Sequence, residues 1–96
     1  MQPVQLADIE MAARVLLALP EAARPTMAAV LCRQASLAGV HKAETGKVHS
    51  LYGNGTLMSA ASRYAATGRP VFCTRDYLAC LGDVITALRH HGDQNL

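Results

Sequence analysis

Apolar residues recur at helical spacing in four stretches of the 96-residue chain, separated by glycine, proline and polar residues. In the first, Leu6, Ile9, Ala13, Leu16 and Leu17 share one side of a helix expected over residues 7–19. Glu10 and Arg14 stand as an i,i+4 pair on the other side. Pro20 stops this helix, because proline has no N–H to donate and disfavours helix in the residue before it. After a turn from Pro20 to Arg24, Pro25 suits the first position of a second helix over 25–44, and Gly46 suits its left-handed cap. The second helix carries two stripes. Met27, Val30, Leu31, Ala38 and His41 make the larger one. Ala28, Cys32, Ser36 and Gly39 make a stripe of small residues along which another backbone can come close.

A glycine-rich turn at Gly53-Asn54-Gly55 comes next, since Gly and Asn reach positive φ cheaply. Thr56 is placed to cap a third helix over 57–66, built almost wholly of Ala, Ser, Leu and Met. Thr67-Gly68-Arg69-Pro70 interrupts the chain again. Thr74 caps a fourth helix over 75–90, with Asp76 in its first turn at the favourable end of the helix dipole. Its stripe is Tyr77, Leu78, Leu81, Val84, Ile85 and Leu88. Gly92 is expected to end it, with Arg89, His90 and His91 near the carbonyl-rich terminus and the last residues frayed.

Composition agrees with this pattern. The chain has 17 Ala and 12 Leu against 7 Val and 2 Ile, a supply that favours helix over sheet. An apolar fraction of 51% with a net charge of +2 excludes a disordered chain, and 96 residues allow one domain. The expected fold is therefore all-α: a compact single-domain bundle of four helices over residues 1–96. A domain of this size buries only about 60–65% of its unfolded surface, so a partner can complete a modest core. Asp8 and Glu10 interrupt any signal-like apolar stretch, and the longest apolar run, Val15 to Leu19, is too short to span a bilayer. Three cysteines without framework spacing read as reduced thiols. Cytoplasmic localisation with no membrane partner is expected.

The small net charge conceals a segregation. Residues 1–21 and 76–96 each carry −2, whereas residues 24–75 carry +6 from Arg24, Arg33, Lys42, Lys47, Arg63, Arg69 and Arg75 against Glu44. A basic middle can face phosphates, with Arg33, Lys42, Lys47 and Arg63 as surface candidates. It can equally complement acidic outer segments within one fold. The basic residues are spread, no aromatics interleave with them for base stacking, and no connection has helix-turn-helix length.

Few residues suggest chemistry. The Tyr52-Gly53-Asn54-Gly55-Thr56 turn opens onto a helix whose first N–H groups, on Leu57 and Met58, could cradle an anion, although a phosphate-loop spacing is missing. The plainer reading is a turn and cap that set an interhelical angle. His41, His49, Cys73 and Cys80 could form a zinc quartet, but the pairs lack the two-to-four-residue spacing of structural zinc sites. Cys73 stands just before the fourth helix, near Arg75, and with His49 as base would make a nucleophilic pair. The carboxylates are scattered singly.

At His49-Ser50-Leu51-Tyr52-Gly53-Asn54-Gly55-Thr56-Leu57-Met58 the chain resembles a family of small alphaproteobacterial helical proteins of unknown function. That family shows a His, an aromatic, then Gly-Asn/Asp-Gly-Ser-Leu-Met opening an alanine-rich helix. Asp76-Tyr77-x-x-Cys80-Leu81 is similar to its final amphipathic helix. The chain departs from the pattern at Ser50, where proline is usual, and at Thr56, where serine is usual; the latter keeps the capping hydroxyl. The resemblance implies a compact helical fold, brings no catalytic residue or cofactor, and directs attention to the central loop.

The leading expectation is a non-enzymatic protein-interaction module, a self-associating homo-oligomer or one with a protein partner, without cofactor or metal. Its candidate contact residues are His49, Tyr52, Gly53, Asn54, Gly55 and Thr56. A nucleic-acid-contacting regulator using the basic middle is the second expectation, and a small thiol-dependent enzyme using Cys73 the third.

Overall fold

Alanine-rich helices can approach closely, and in this protein four of them bury a core in which alanines alternate with larger apolar side chains. The structure, a computed structural model, describes the backbone of residues 1–94 and the side chains of residues 1–92. The frayed end expected at Asn95 and Leu96 lies outside these residues. The helices are α1 (Leu6–Leu17), α2 (Arg24–Thr45), α3 (Leu57–Ser62) and α4 (Arg75–Gln94), with one turn of 3₁₀ helix at Glu21–Ala23. No strand occurs among the described residues. The fold is all-α, with α1 against α4 and α3, and α2 against α4. Its radius of gyration, 12.9 Å, is that of a single compact body.

Leu16, Leu31, Leu57, Val15 and Val84 are the largest apolar side chains fully enclosed, joined by Cys32 and Cys80. Among them sit Ala12, Ala13, Ala28, Ala35, Ala60 and Ala61, whose methyl groups let the helices come close around the larger side chains. That explains how 4% aromatic content suffices.

Several boundaries and faces differ from expectation, each for a tertiary reason. α1 ends at Leu17 rather than residue 19, its C-terminal carbonyls being taken by a side chain. The guanidinium of Arg24, 6% exposed, donates from Nε to the Leu16 carbonyl at 3.0 Å and to the Leu19 carbonyl at 3.2 Å. It also donates to the Asp76 carboxylate at 2.8 Å. A residue expected in a surface turn thus joins the end of α1 to the starts of α2 and α4. The expected Glu10–Arg14 pair does not form. Arg14 donates to the Thr67 carbonyl at 2.8 Å, and Glu10 lies 3.7 Å from Arg69.

α3 stops at Ser62, not residue 66, because Tyr64 leaves the helix to reach α2, where its hydroxyl donates to Gln34 at 2.9 Å. The Thr67 N–H then bonds the Arg14 carbonyl at 3.2 Å. These contacts outweigh the helix propensity of Ala65 and Ala66. α4 runs through Gly92, which keeps helical backbone, and its last turn is tied to α2 by a 2.6 Å hydrogen bond between Ser36 Oγ and His91 Nε2. The buried stripe of α4 is Tyr77, Cys80 and Val84, flanked by Leu81, Ala87 and Leu88, while Leu78 and Ile85 are exposed. α1 turns Ala12, Ala13, Val15 and Leu16 inward and leaves Leu6 outside.

Other local signals are realised as expected. Gly46 adopts φ +72° at the end of α2, and the Thr56 and Thr74 hydroxyls accept from the Ser59 and Tyr77 N–H groups.

Candidate functional site

The connector between α2 and α3 is folded onto itself around His49. The backbones of His49 and Gly53 exchange both hydrogen bonds, at 2.9 and 3.1 Å. The N–H groups of Leu51 and Tyr52 donate to His49 Nδ1 at 3.0 and 3.1 Å. That nitrogen must therefore present its lone pair, which places the proton of the neutral ring on Nε2. The imidazole stacks on Tyr52 with centroids 4.8 Å apart and meets the His41 ring edge-on at 5.1 Å. The Arg63 guanidinium lies 5.2 Å from the Tyr52 ring centre and 5.4 Å from that of Tyr64. A row of rings and one cation thus ties the end of α2, the connector and the end of α3 together.

The glycines are there for contact as much as for conformation. Gly53 has φ +86°, and a Cβ on it would come within 2.5 Å of Ser59 Cβ. Gly55 has φ +93° and sits so close to Gly39 of α2 that a Cβ would lie 2.9 Å from the Gly39 Cα. The small-residue stripe on α2 therefore does receive another backbone. Between the two glycines, Asn54 Oδ1 accepts from the Thr56 N–H, the Thr56 hydroxyl and the Ser59 hydroxyl, at 3.0, 2.8 and 2.8 Å.

The helix start that could have cradled an anion already holds one from within the chain. Asp8, 6% exposed, accepts from the Gln5 N–H at 2.8 Å with one oxygen. With the other it accepts from the Met58 N–H at 3.0 Å. One carboxylate caps both α1 and α3, and the Thr56 hydroxyl accepts the hydrogen bond from the Ser59 N–H. The positive ends of both helices are thereby neutralised internally.

The other candidates do not come together. His41 and His49 are neighbours, but Cys80 is enclosed in the core and Cys73 is exposed on another connector, so the zinc quartet is not assembled. Among the described residues no three His, Cys, Asp or Glu side chains converge as a metal site. His49 is engaged with the Leu51 and Tyr52 backbones, not with Cys73. Burial pushes the Cys32 thiol up to about 11 and also raises that of Cys80, which makes both poor nucleophiles. Of the basic middle, Arg24 is withdrawn into the core, Arg69 lies against Glu10, and Arg63 is held over two rings. Arg33 lines a cleft beside His90 and His91, while Lys42 lies in the last turn of α2 and Lys47 just beyond it.

A different surface emerges at the connector between α3 and α4. Val71 and Phe72 are 88% and 78% exposed, and Leu6 of α1 is 69% exposed. Leu6 and Val71 border an open groove of about 630 Å³ whose floor includes Tyr77 and Leu81. Glu10 and Arg69 stand on its rim, and Cys73 lines it. No motif in the sequence marks Val71 or Phe72 as a contact. The available signal was the lone phenylalanine of the chain, set in an apolar Val71-Phe72-Cys73 run between Pro70 and Thr74, where no helical stripe can bury it.

Residues 2–88 match a domain of unknown function, DUF7742. The match covers most of the chain, and the protein belongs to that family. No curated protein and no solved structure matches it. No helix among the described residues is long and apolar enough to cross a membrane.

Proposed function

We propose that this DUF7742 protein is a non-enzymatic interaction module that self-associates. The observation that carries the reading is the apolar surface of Leu6, Val71 and Phe72 left in water beside an open groove. Large apolar side chains scattered singly are ordinary on a surface, whereas Leu6 and Val71 line one groove and Phe72 follows Val71 in the chain. The tightly bonded His49–Thr56 loop is then scaffold: it sets how α3 meets α2, and its polar groups are spent on one another. The thiols fit a cytoplasmic setting, two of the three being buried and none paired.

Sedimentation of the whole chain over a wide concentration range tests the reading. Mass rising with concentration towards a dimer supports it, and a strict monomer throughout overturns self-association. Salt-sensitive retention on DNA or RNA, lost on Arg33→Ala with Lys47→Ala, would favour a nucleic-acid partner instead.

A further inference from the structure

The connector between α2 and α3 pins its backbone twice, with two different chemistries. Asn54 Oδ1 accepts from the Thr56 N–H at 3.0 Å, the ordinary way a polar side chain holds a turn. His49 does the same work through Nδ1, which accepts from the Leu51 and Tyr52 N–H groups at 3.0 and 3.1 Å. The amide oxygen accepts at any pH. The imidazole nitrogen accepts only while its lone pair is free, and imidazoles take up a proton between about pH 5 and 8. Because Nε2 already carries the proton of the neutral ring, the next one must go to Nδ1, where it sets a donor against two donors.

The surroundings do not welcome that charge. From α2, the His41 ring meets His49 edge-on at 5.1 Å. Tyr52 covers one face of the imidazole at 4.8 Å, and the Arg63 guanidinium, from the end of α3, lies 5.2 Å from the Tyr52 ring centre. Lys42 and Lys47 add positive charge along the same stretch, where Glu44 is the one carboxylate between residues 41 and 63. The Asp8 carboxylate of α1 is engaged by the Gln5 and Met58 N–H groups. Among the described residues no carboxylate forms an ion pair with His49. We propose that His49 makes this connector a pH-sensitive latch. Neutral, it pins the Leu51 and Tyr52 backbone; protonated, it releases both N–H groups and loosens the seam between α2 and α3. The His49–Gly53 backbone pairing and the Tyr52 ring beneath Arg63 belong to the same turn, so the release reaches that seam. The latch is independent of self-association, which concerns the other long connector.

Nitrogen NMR of the full chain tests it. At pH 8 the neutral His49 ring should carry its proton on Nε2. Between pH 8 and pH 5 the protection of the Leu51 and Tyr52 amides against solvent exchange should fall about tenfold or more. The midpoint should match that of the His49 ring, while core amides of α1 and α4 keep their protection. His49→Asn retains an acceptor and removes the titration, so its loop should stay protected at both pH values. His41→Gln removes the neighbouring imidazole and should leave the parental response in place. A neutral ring protonated on Nδ1 would overturn the latch, as would a His49 that protonates while Leu51 and Tyr52 stay protected. An equal loss in His49→Asn, or no loss in His41→Gln, would put the sensor elsewhere and overturn it too. Should His49→Asn fail to hold the loop at pH 8, the parent's tautomer and titration decide alone.

Discussion

The two longest connections of the bundle use their residues in opposite ways. Residues 46–56 carry the conspicuous motif, and nearly every polar group in it is spent internally. His49 accepts two backbone N–H groups, Asn54 accepts three donors, and both turn glycines abut neighbouring atoms. Residues 63–74 carry no recognisable motif. They are held mainly near their ends, by Tyr64 on Gln34, by Thr67 on Arg14 and by the Thr74 cap, and between these anchors Val71 and Phe72 face water. A loop dense in internal bonds has little left with which to bind. One that leaves apolar groups uncovered has binding capacity and little influence on stability.

The contrast makes graded predictions. Gly53→Ala forces a Cβ into Ser59 at positive φ and should destabilise the fold by about 3 kcal/mol, measured by urea unfolding. A cost near zero would mean the first loop is not packed as described. Asp8→Ala leaves the Gln5 and Met58 N–H groups without their acceptor and should cost about 2 kcal/mol, with amide exchange at Met58 accelerated. His49→Ala removes one acceptor from two partly exposed N–H groups, for about 1 kcal/mol, and the amides of Leu51 and Tyr52 should report it first.

A smaller, pH-dependent effect belongs to Asp76, at the far end of the second connection. The Arg24 hydrogen bond holds its carboxyl below the usual carboxylate range. A group whose folded pKa is depressed contributes above its unfolded pKa and loses that contribution as pH falls through the folded one. Parent and Asp76→Asn should therefore differ in melting temperature at neutral pH and converge below about pH 4. Salt should reduce the difference, because the carboxylate side is exposed. Least of all should Phe72→Ser matter to folding, with a change within about 0.5 kcal/mol, even as it removes self-association. A large loss of stability there would place Phe72 in the core and erase the contrast between the loops.

Elements whose cause lies within a few residues were legible in the chain. Pro20 ends α1 within three residues, Gly46 closes α2, and Thr56 and Thr74 cap the helices that follow them, since caps and breakers act through neighbouring backbone. The stripe of small residues on α2, Ala28, Cys32, Ser36 and Gly39, likewise announced a close approach, although not that Gly55 would make it at Gly39. Partners remote along the chain could not be read in this way. Arg24 meets Asp76 across 52 positions, Asp8 reaches Met58 across 50, and Tyr64 leaves α3 for Gln34 across 30. None of these pairings is encoded by spacing or propensity. Each exists because packing brought the two groups together where water is scarce and an unpaired donor or charge is costly. Packing likewise decided which rings are covered: Tyr77 lies on the buried face of α4 and joins the core, whereas Phe72, in the connector before that helix, stays 78% exposed.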